Sequence, residues 1–325
     1  MSKPSALVER WRSETGAALA DEIVARLLAG RDLDGLGLGE HAGRVDLRCM
    51  PAPEARRLER FEALGWFVEK LGDLVVFRGV RLARLDLSGA QLQSLRFHDA
   101  SVADCRFDGA ACGDWRLWGT RVADSSFSKA DLRGAVVGTW QDGRRNEWRQ
   151  VDFSGADFRV AVSQGALYED CVFAGAKISG VTFSQCTLAR CRFEGALSKV
   201  LFDGRELSDR PAPPPMSKVD FSAAVFREVE FRGFDLEDVT LPDDPDVRLY
   251  RRARCVARKG IELLDGDNSK PGRMLRGVLN NRLRGPGDDQ ESEIFNARDY
   301  LSWGGPDLAR LAEDILGRAE NECRR

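Results

Sequence analysis

Few side chains in this sequence have the types and spacing that catalytic chemistry requires. There are two histidines, His41 and His98, so general acid–base work near neutral pH has few candidates. No Gly-x-Ser-x-Gly elbow, Walker lysine loop or His-Glu-x-x-His pair occurs. Gly35, Gly37 and Gly39 cluster, but they lack the spaced phosphate-binding fingerprint and a preceding strand, so they read as a connector. Cys171, Cys186 and Cys191 invite a metal-site reading. No Cys-x-x-Cys pair supports it, and their positions call for small residues in any case. Asp86, Asp131, Asp152 and Asp157 each stand directly before a large apolar residue. That regularity assigns them to turns rather than to acid–base pairs. The sequence therefore predicts no active site, no cofactor and no metal.

The groups that remain are those of recognition. Trp118 follows the apolar Leu117 and should face outward, while Trp140 and Trp148 share a segment with Arg144, Arg145 and Arg149. Trp and Arg dominate interface energetics. The two segment tryptophans either meet a partner or fold back onto the body of the protein. A second candidate is basic. Arg248, Arg251, Arg252, Arg254, Arg258 and Lys259 open the stretch 248–284, which holds eleven basic and three acidic residues. Residues 285–325 hold five basic and ten acidic. The two halves would neutralise each other if folded together; the alternative is nucleic-acid or ribosome binding, although Tyr250 alone could stack on a base.

The element that must position these groups is periodic. Every fifth residue from Phe77 is apolar: Phe77, Leu82, Leu87, Leu92, Phe97, Val102, Phe107, Cys112, Leu117, Val122, Phe127, Leu132 and Val137. Two residues before each stands a mostly small one, such as Ala90, Ala100, Ala110 and Ala130. Neither the 3.6 period of a helix nor the 2 of a strand produces this. A fixed short repeat is the mark of a solenoid. One large and one small inward residue per five imply a narrow, filled tube, with turns at Asp108-Gly109 and Ser154-Gly155.

Phe107-Asp108-Gly109-Ala110, Ala130-Asp131-Leu132-Arg133 and Phe153-Ser154-Gly155-Ala156-Asp157-Phe158 resemble the pentapeptide-repeat family. The resemblance covers about half the chain. It implies a right-handed quadrilateral β-helix with four repeats to a coil, so that residues twenty apart stack and Phe153, Phe173 and Phe193 form one ladder. Twenty-nine repeats give about seven coils. Trp115, in a small position, and Ser163, in a large one, depart from the pattern. The family further implies a protein partner. Some members bind DNA gyrase or topoisomerase IV and confer resistance to quinolones or toxins, by a proposed mimicry of duplex DNA. Some also dimerise through C-terminal helices. The charge count speaks against mimicry here: residues 77–241 carry 22 basic and 23 acidic side chains, and a phosphate mimic should be strongly acidic.

Two interruptions stand out: a loop at 138–150, and a Pro-rich one at 208–218. The register slips by one after Phe193 and resumes at Phe202 and Leu207. Residues 1–76 should be a helical cap over the open tube end, which would otherwise expose unpaired backbone. Residues 5–30 are predicted helical, with Leu19, Ile23, Val24, Leu27 and Leu28 on one face; 53–71 read as helix or as strand and turn. After Leu241 the period stops, and helices are predicted at 247–264, 271–284, 291–301 and 306–320, making 242–325 a helical domain. No apolar run reaches membrane-spanning length. The charged first turns are unlike a signal peptide, and the eight cysteines show no disulfide-scaffold spacing. The chain reads as a cytoplasmic protein with reduced core cysteines.

Overall fold

The structure is a computed structural model that describes residues 6–52, 75–141, 143–208, 210–284 and 292–324; the expectation for 53–71 lies outside them. Short parallel strands stack coil upon coil into a four-walled β-helix. On one wall Phe77 pairs in register with Phe97 and Phe97 with Leu117. Further along, Ser163, Phe183, Phe202 and Phe231 follow one another in the same way. Phe153, Phe173, Phe193 and Phe221 stack on another wall, with ring centroids 5.0, 4.6 and 4.9 Å apart. The spacing is that of neighbouring strands. The interior is closed by these rings, and each buried Phe contributes roughly 1.5–3 kcal/mol.

The corners are built two residues after each large inward residue, where the backbone turns left-handed: Gly79, Arg84, Gly89, Ser94, Asp99, Asp104, Gly109 and Asp114 all have positive φ. Gly and Asp tolerate that conformation. The aspartates before the inward residues tie the same corners, since Asp86 and Asp152 accept from the amides of Ser88 and Ser154 at 3.0 and 2.8 Å.

Both departures from the repeat have an internal solution. Trp115 is buried, its indole N–H donates to the Leu92 carbonyl at 2.5 Å, and its ring meets Phe97, Phe107 and Phe127. Ser163 is buried with its Oγ 2.8 Å from the Tyr168 hydroxyl and 3.2 Å from Cys186 Sγ. A small polar residue fits there because a neighbouring ladder reaches across to satisfy it. The one-residue slip lies between Phe193 and Leu197, since Leu197 stacks on Ile178 and Phe202 on Phe183. Leu207, expected inward, is instead exposed. Met216 is the buried residue after the second loop, and Ser217 beside it donates to the Leu188 carbonyl at 3.1 Å.

Both tube ends are covered. At the first, α1 (Ala6–Arg12) and α2 (Glu14–Leu28) bring Trp11, Ile23, Val24 and Leu27 into the tube's core. The break between them is Ser13, whose side chain caps α2 by accepting from Gly16. The strand Arg44–Asp46 pairs with Leu85–Asp86, and the Trp11 indole donates to the Arg48 carbonyl at 2.8 Å. At the other end the hairpin Val247–Tyr250/Glu293–Asn296 inserts Ile294 into the same core, and Asn296 donates to the Phe226 carbonyl at 2.8 Å.

That hairpin corrects two expectations. Residues 247–250 and 293–296 are strands, because each finds the other across the intervening chain; the helices start later, as α3 (Ala253–Leu263), α4 (Lys270–Leu283) and α5 (Ala297–Cys323). The two predicted last helices run on as α5 with a kink where Gly305 has φ 79° before Pro306. The apolar faces of α3 and α5 meet within the chain: a Cβ on Gly260 would stand 2.8 Å from Leu279 and 3.5 Å from Ile315. Cys255 and Cys323 are joined by a disulfide across 68 residues, whereas the core cysteines Cys105, Cys112, Cys171, Cys186 and Cys191 are free, as expected. No local spacing announces the disulfide, because only the crossing of α3 and α5 brings its two cysteines together. Among the described residues no helix is long and apolar enough to cross a membrane.

Candidate interaction site

The first loop leaves the tube after Val137 and returns sooner than the sequence suggests. Trp148 is fully buried, pairing in register with Val122 below and Tyr168 above. Its indole N–H donates to the Val137 carbonyl at 2.9 Å. Trp148 is therefore a rung of the interior and takes no part in a surface contact, contrary to its predicted role. The signal was present, since Trp148 stands five residues before Phe153.

Asn146 closes the loop's base. It is buried, accepts from the Thr120 amide at 3.0 Å and donates to the Leu117 carbonyl at 2.9 Å. These are backbone groups that a regular coil would have paired, so one side chain replaces the missing ladder. Thr139 adds a bond to the same Leu117 carbonyl at 2.9 Å.

The loop's tip lies on the outer wall. Trp140 is 37% exposed and sits over Gly165, where an added Cβ would come within 2.7 Å of the Trp140 Cβ. The Arg210 guanidinium, from the second loop, lies 5.7 Å from the Trp140 ring centre. Arg210 was missed by sequence reasoning, and no local pattern could have found it: the two loops are seventy residues apart and meet because both leave the same side of the tube. Arg144 reaches the Asp99 carboxylate at 2.7 Å, and Arg145 the Thr187 hydroxyl at 3.0 Å. Trp118 is half-buried beside His98, ring centres 6.5 Å apart. Arg149 belongs to a network with Glu147, Glu169, Arg190 and Asp170. The Arg190 hydrogen bond holds the Asp170 carboxyl below its ordinary range. Trp140, Arg144, Arg145 and Arg149 thus share the loop region, and Trp148 does not.

The basic segment is largely engaged inside the helical region. Arg248 pairs with Glu313 at 2.5 Å, Arg251 with Glu237 at 3.3 Å and Lys259 with Glu262 at 2.6 Å. Arg252 donates to the Cys323 carbonyl at 2.5 Å and Arg254 to that of Leu283 at 3.3 Å. Arg258 is also engaged. Arg248–Glu313 is the cross-half neutralisation that the charge pattern anticipates. The stacked cysteines are core: burial pushes the Cys171 thiol well above its ordinary value and Cys186 up to about 11, so both stay protonated.

The family model described as pentapeptide repeats (8 copies) matches residues 165–196. No curated protein matches the chain. Among solved structures, QnrB1, a plasmid-mediated fluoroquinolone resistance protein, is 20% identical over 52% of this chain and 90% of its own, with a TM-score of 0.38. HetL, involved in heterocyst differentiation regulation in the cyanobacterium Nostoc, is 14% identical over 68% of this chain and 92% of its own, with a TM-score of 0.19. A cyanobacterial repeat protein, Rfr23 from Cyanothece, is 12% identical over 52% and 90%, with a TM-score of 0.15.

Proposed function

We infer, from the premise that this chain belongs to the pentapeptide-repeat proteins, that it is a non-enzymatic scaffold which binds a protein partner through the wall where its two loops meet. The observation that carries this reading is Trp140, part exposed and seated between Gly165 and Arg210. An interface anchor is an aromatic or arginine side chain held on a rigid support, and a filled β-helix is rigid. The interior, occupied by stacked rings, offers no room for substrate, so recognition falls to the outer faces.

A DNA topoisomerase is the partner that the family resemblance implies. Mimicry of duplex DNA is not the route this surface supports. Its carboxylates are matched by guanidiniums two residues away, as in Arg106–Asp108, Arg133–Asp131 and Arg159–Asp157, each at 2.6 Å. Such a face has no phosphate-like field. Contact through the loop wall is the alternative route to the same enzyme.

Affinity capture from cytosol tests the scaffold. A Trp140→Ala/Arg144→Ala variant loses the partners that the parent retains; capture of the same set by both rejects the loop wall as the recognition surface. A supercoiling assay with purified gyrase tests the partner: altered activity, or altered inhibition by a quinolone, at stoichiometric protein supports it, and no effect at excess rejects it.

A further inference from the structure

A second concavity lies where the last coils of the tube meet the helical region. It is a cleft of 420 Å³, within the range of small-molecule sites. Five elements contribute. Arg205 and Arg232 come from successive coils, Arg254 from α3, Arg282 and Arg284 from the end of α4, and Trp303 from α5. Elsewhere on the tube several outward guanidiniums meet a carboxylate two residues away, as in Arg133–Asp131 and Arg159–Asp157; here five guanidiniums line one cleft. Glu230 and Glu293 also line the cleft. Even with Asp203, which holds Arg205 at 2.7 Å, five guanidiniums face three carboxylates.

The cleft is organised as well as basic. Arg282 is fixed by Glu293 at 2.6 Å, with both side chains largely buried. Arg254 is fixed by the Leu283 carbonyl. The Arg232 guanidinium is held by Glu230. Guanidiniums anchored at one edge keep further N–H donors for an anion, and their planar fork suits phosphate. Trp303 is 41% exposed at the rim, and its ring is 5.2 Å from that of Tyr300, which steadies it. A part-exposed indole beside clustered guanidiniums provides a stacking face next to a phosphate cradle.

We propose that this cleft binds a nucleoside di- or triphosphate, with the phosphates on Arg232, Arg282 and Arg284 and the base against Trp303. The site is separate from the loop wall, so loss of either leaves the other in place.

Calorimetry on the full chain tests this with ATP, tripolyphosphate and adenosine. ATP binds, tripolyphosphate binds about tenfold more weakly, and adenosine alone does not register. Arg284→Glu, at an exposed position, weakens ATP about tenfold with the melting temperature unchanged. Trp303→Ala weakens ATP about tenfold and leaves tripolyphosphate unaffected. Absence of ATP binding at millimolar concentration overturns the proposal, as does ATP affinity unchanged from the parent in both variants. Equal affinity for tripolyphosphate and ATP overturns the base contact. Tighter binding of a single-stranded oligonucleotide than of ATP overturns the small-molecule assignment.

Discussion

The tube and the helical region after it solve the same problem, burial of apolar surface, in opposite ways. In the tube almost every contact joins a residue to one about twenty positions away or to its immediate neighbours. Ion pairs follow the same rule, as in Asp131–Arg133, Asp157–Arg159 and Asp203–Arg205. In the helical region the decisive contacts are singular and distant: Arg248 meets Glu313, Cys255 is bonded to Cys323, and the hairpin 247–250/293–296 has no repeat behind it. A repeated interface tolerates local error, because each coil leans only on its neighbours. A singular one depends on each of its few contacts.

The largest expected effect breaks the tube's own side of this comparison. Phe173→Ala removes a ring stacked on both sides, at 5.0 and 4.6 Å, and should cost about 3–5 kcal/mol in urea unfolding. Trp148→Ala should cost a similar amount, whereas Trp140→Ala should cost less than about 1 kcal/mol. Equal costs would remove the distinction between core rung and surface anchor.

Next is the disulfide. Cys255→Ser/Cys323→Ser should lower the stability of the helical region by about 2–4 kcal/mol, seen as a separate, earlier calorimetric transition. A single transition moving as a whole would show that tube and helices unfold together.

The third effect is acid sensitivity at the capped end. Asp46 accepts hydrogen bonds from Arg48 and Arg10. The Arg48 bond foremost, with Arg10 adding to it against the cost of burial, holds its carboxyl well below the usual range. Its folded pKa lies under the unfolded one, so its stabilisation is complete above the ordinary aspartate value of about 4 and is lost as pH falls below it. Trp11 fluorescence should therefore report loosening of α1 below about pH 4. Asp46→Asn should show that looser state already at neutral pH, at a cost of roughly 2 kcal/mol. A variant with the parent's acid profile would exclude Asp46 as the group responsible.

The smallest effect is a gain. Val160 is β-branched, exposed, and has φ 55° at a corner, a conformation costing about 1–2 kcal/mol for such a residue. Val160→Asn should raise stability by about 1 kcal/mol in thermal unfolding; no gain would mean that the corner is relaxed with Val in place.

How legible each region was in the sequence follows the same division. The ladder through Phe153, Phe173 and Phe193 could be read from spacing alone, and so could Asp131 and Asp157 as turn residues. Trp148 was legible by the same count but was obscured by the loop around it. Leu207 fitted the count and still faces outward, because Met216 closes the coil after the second loop. Arg210 against Trp140, and the cleft shared by Arg232, Arg282 and Trp303, leave no mark in any local pattern.

The order of residues by itself determined the period of five, hence a narrow tube, its filled interior and its neutral outer faces. These rest on interactions between a residue and its near neighbours in chain or coil, which spacing encodes. Only the folded molecule decided where the loops converge, which cysteines bond, which strands cap the far end and where arginines gather. Those outcomes depend on surfaces brought together across tens of residues, and no periodicity specifies such a meeting.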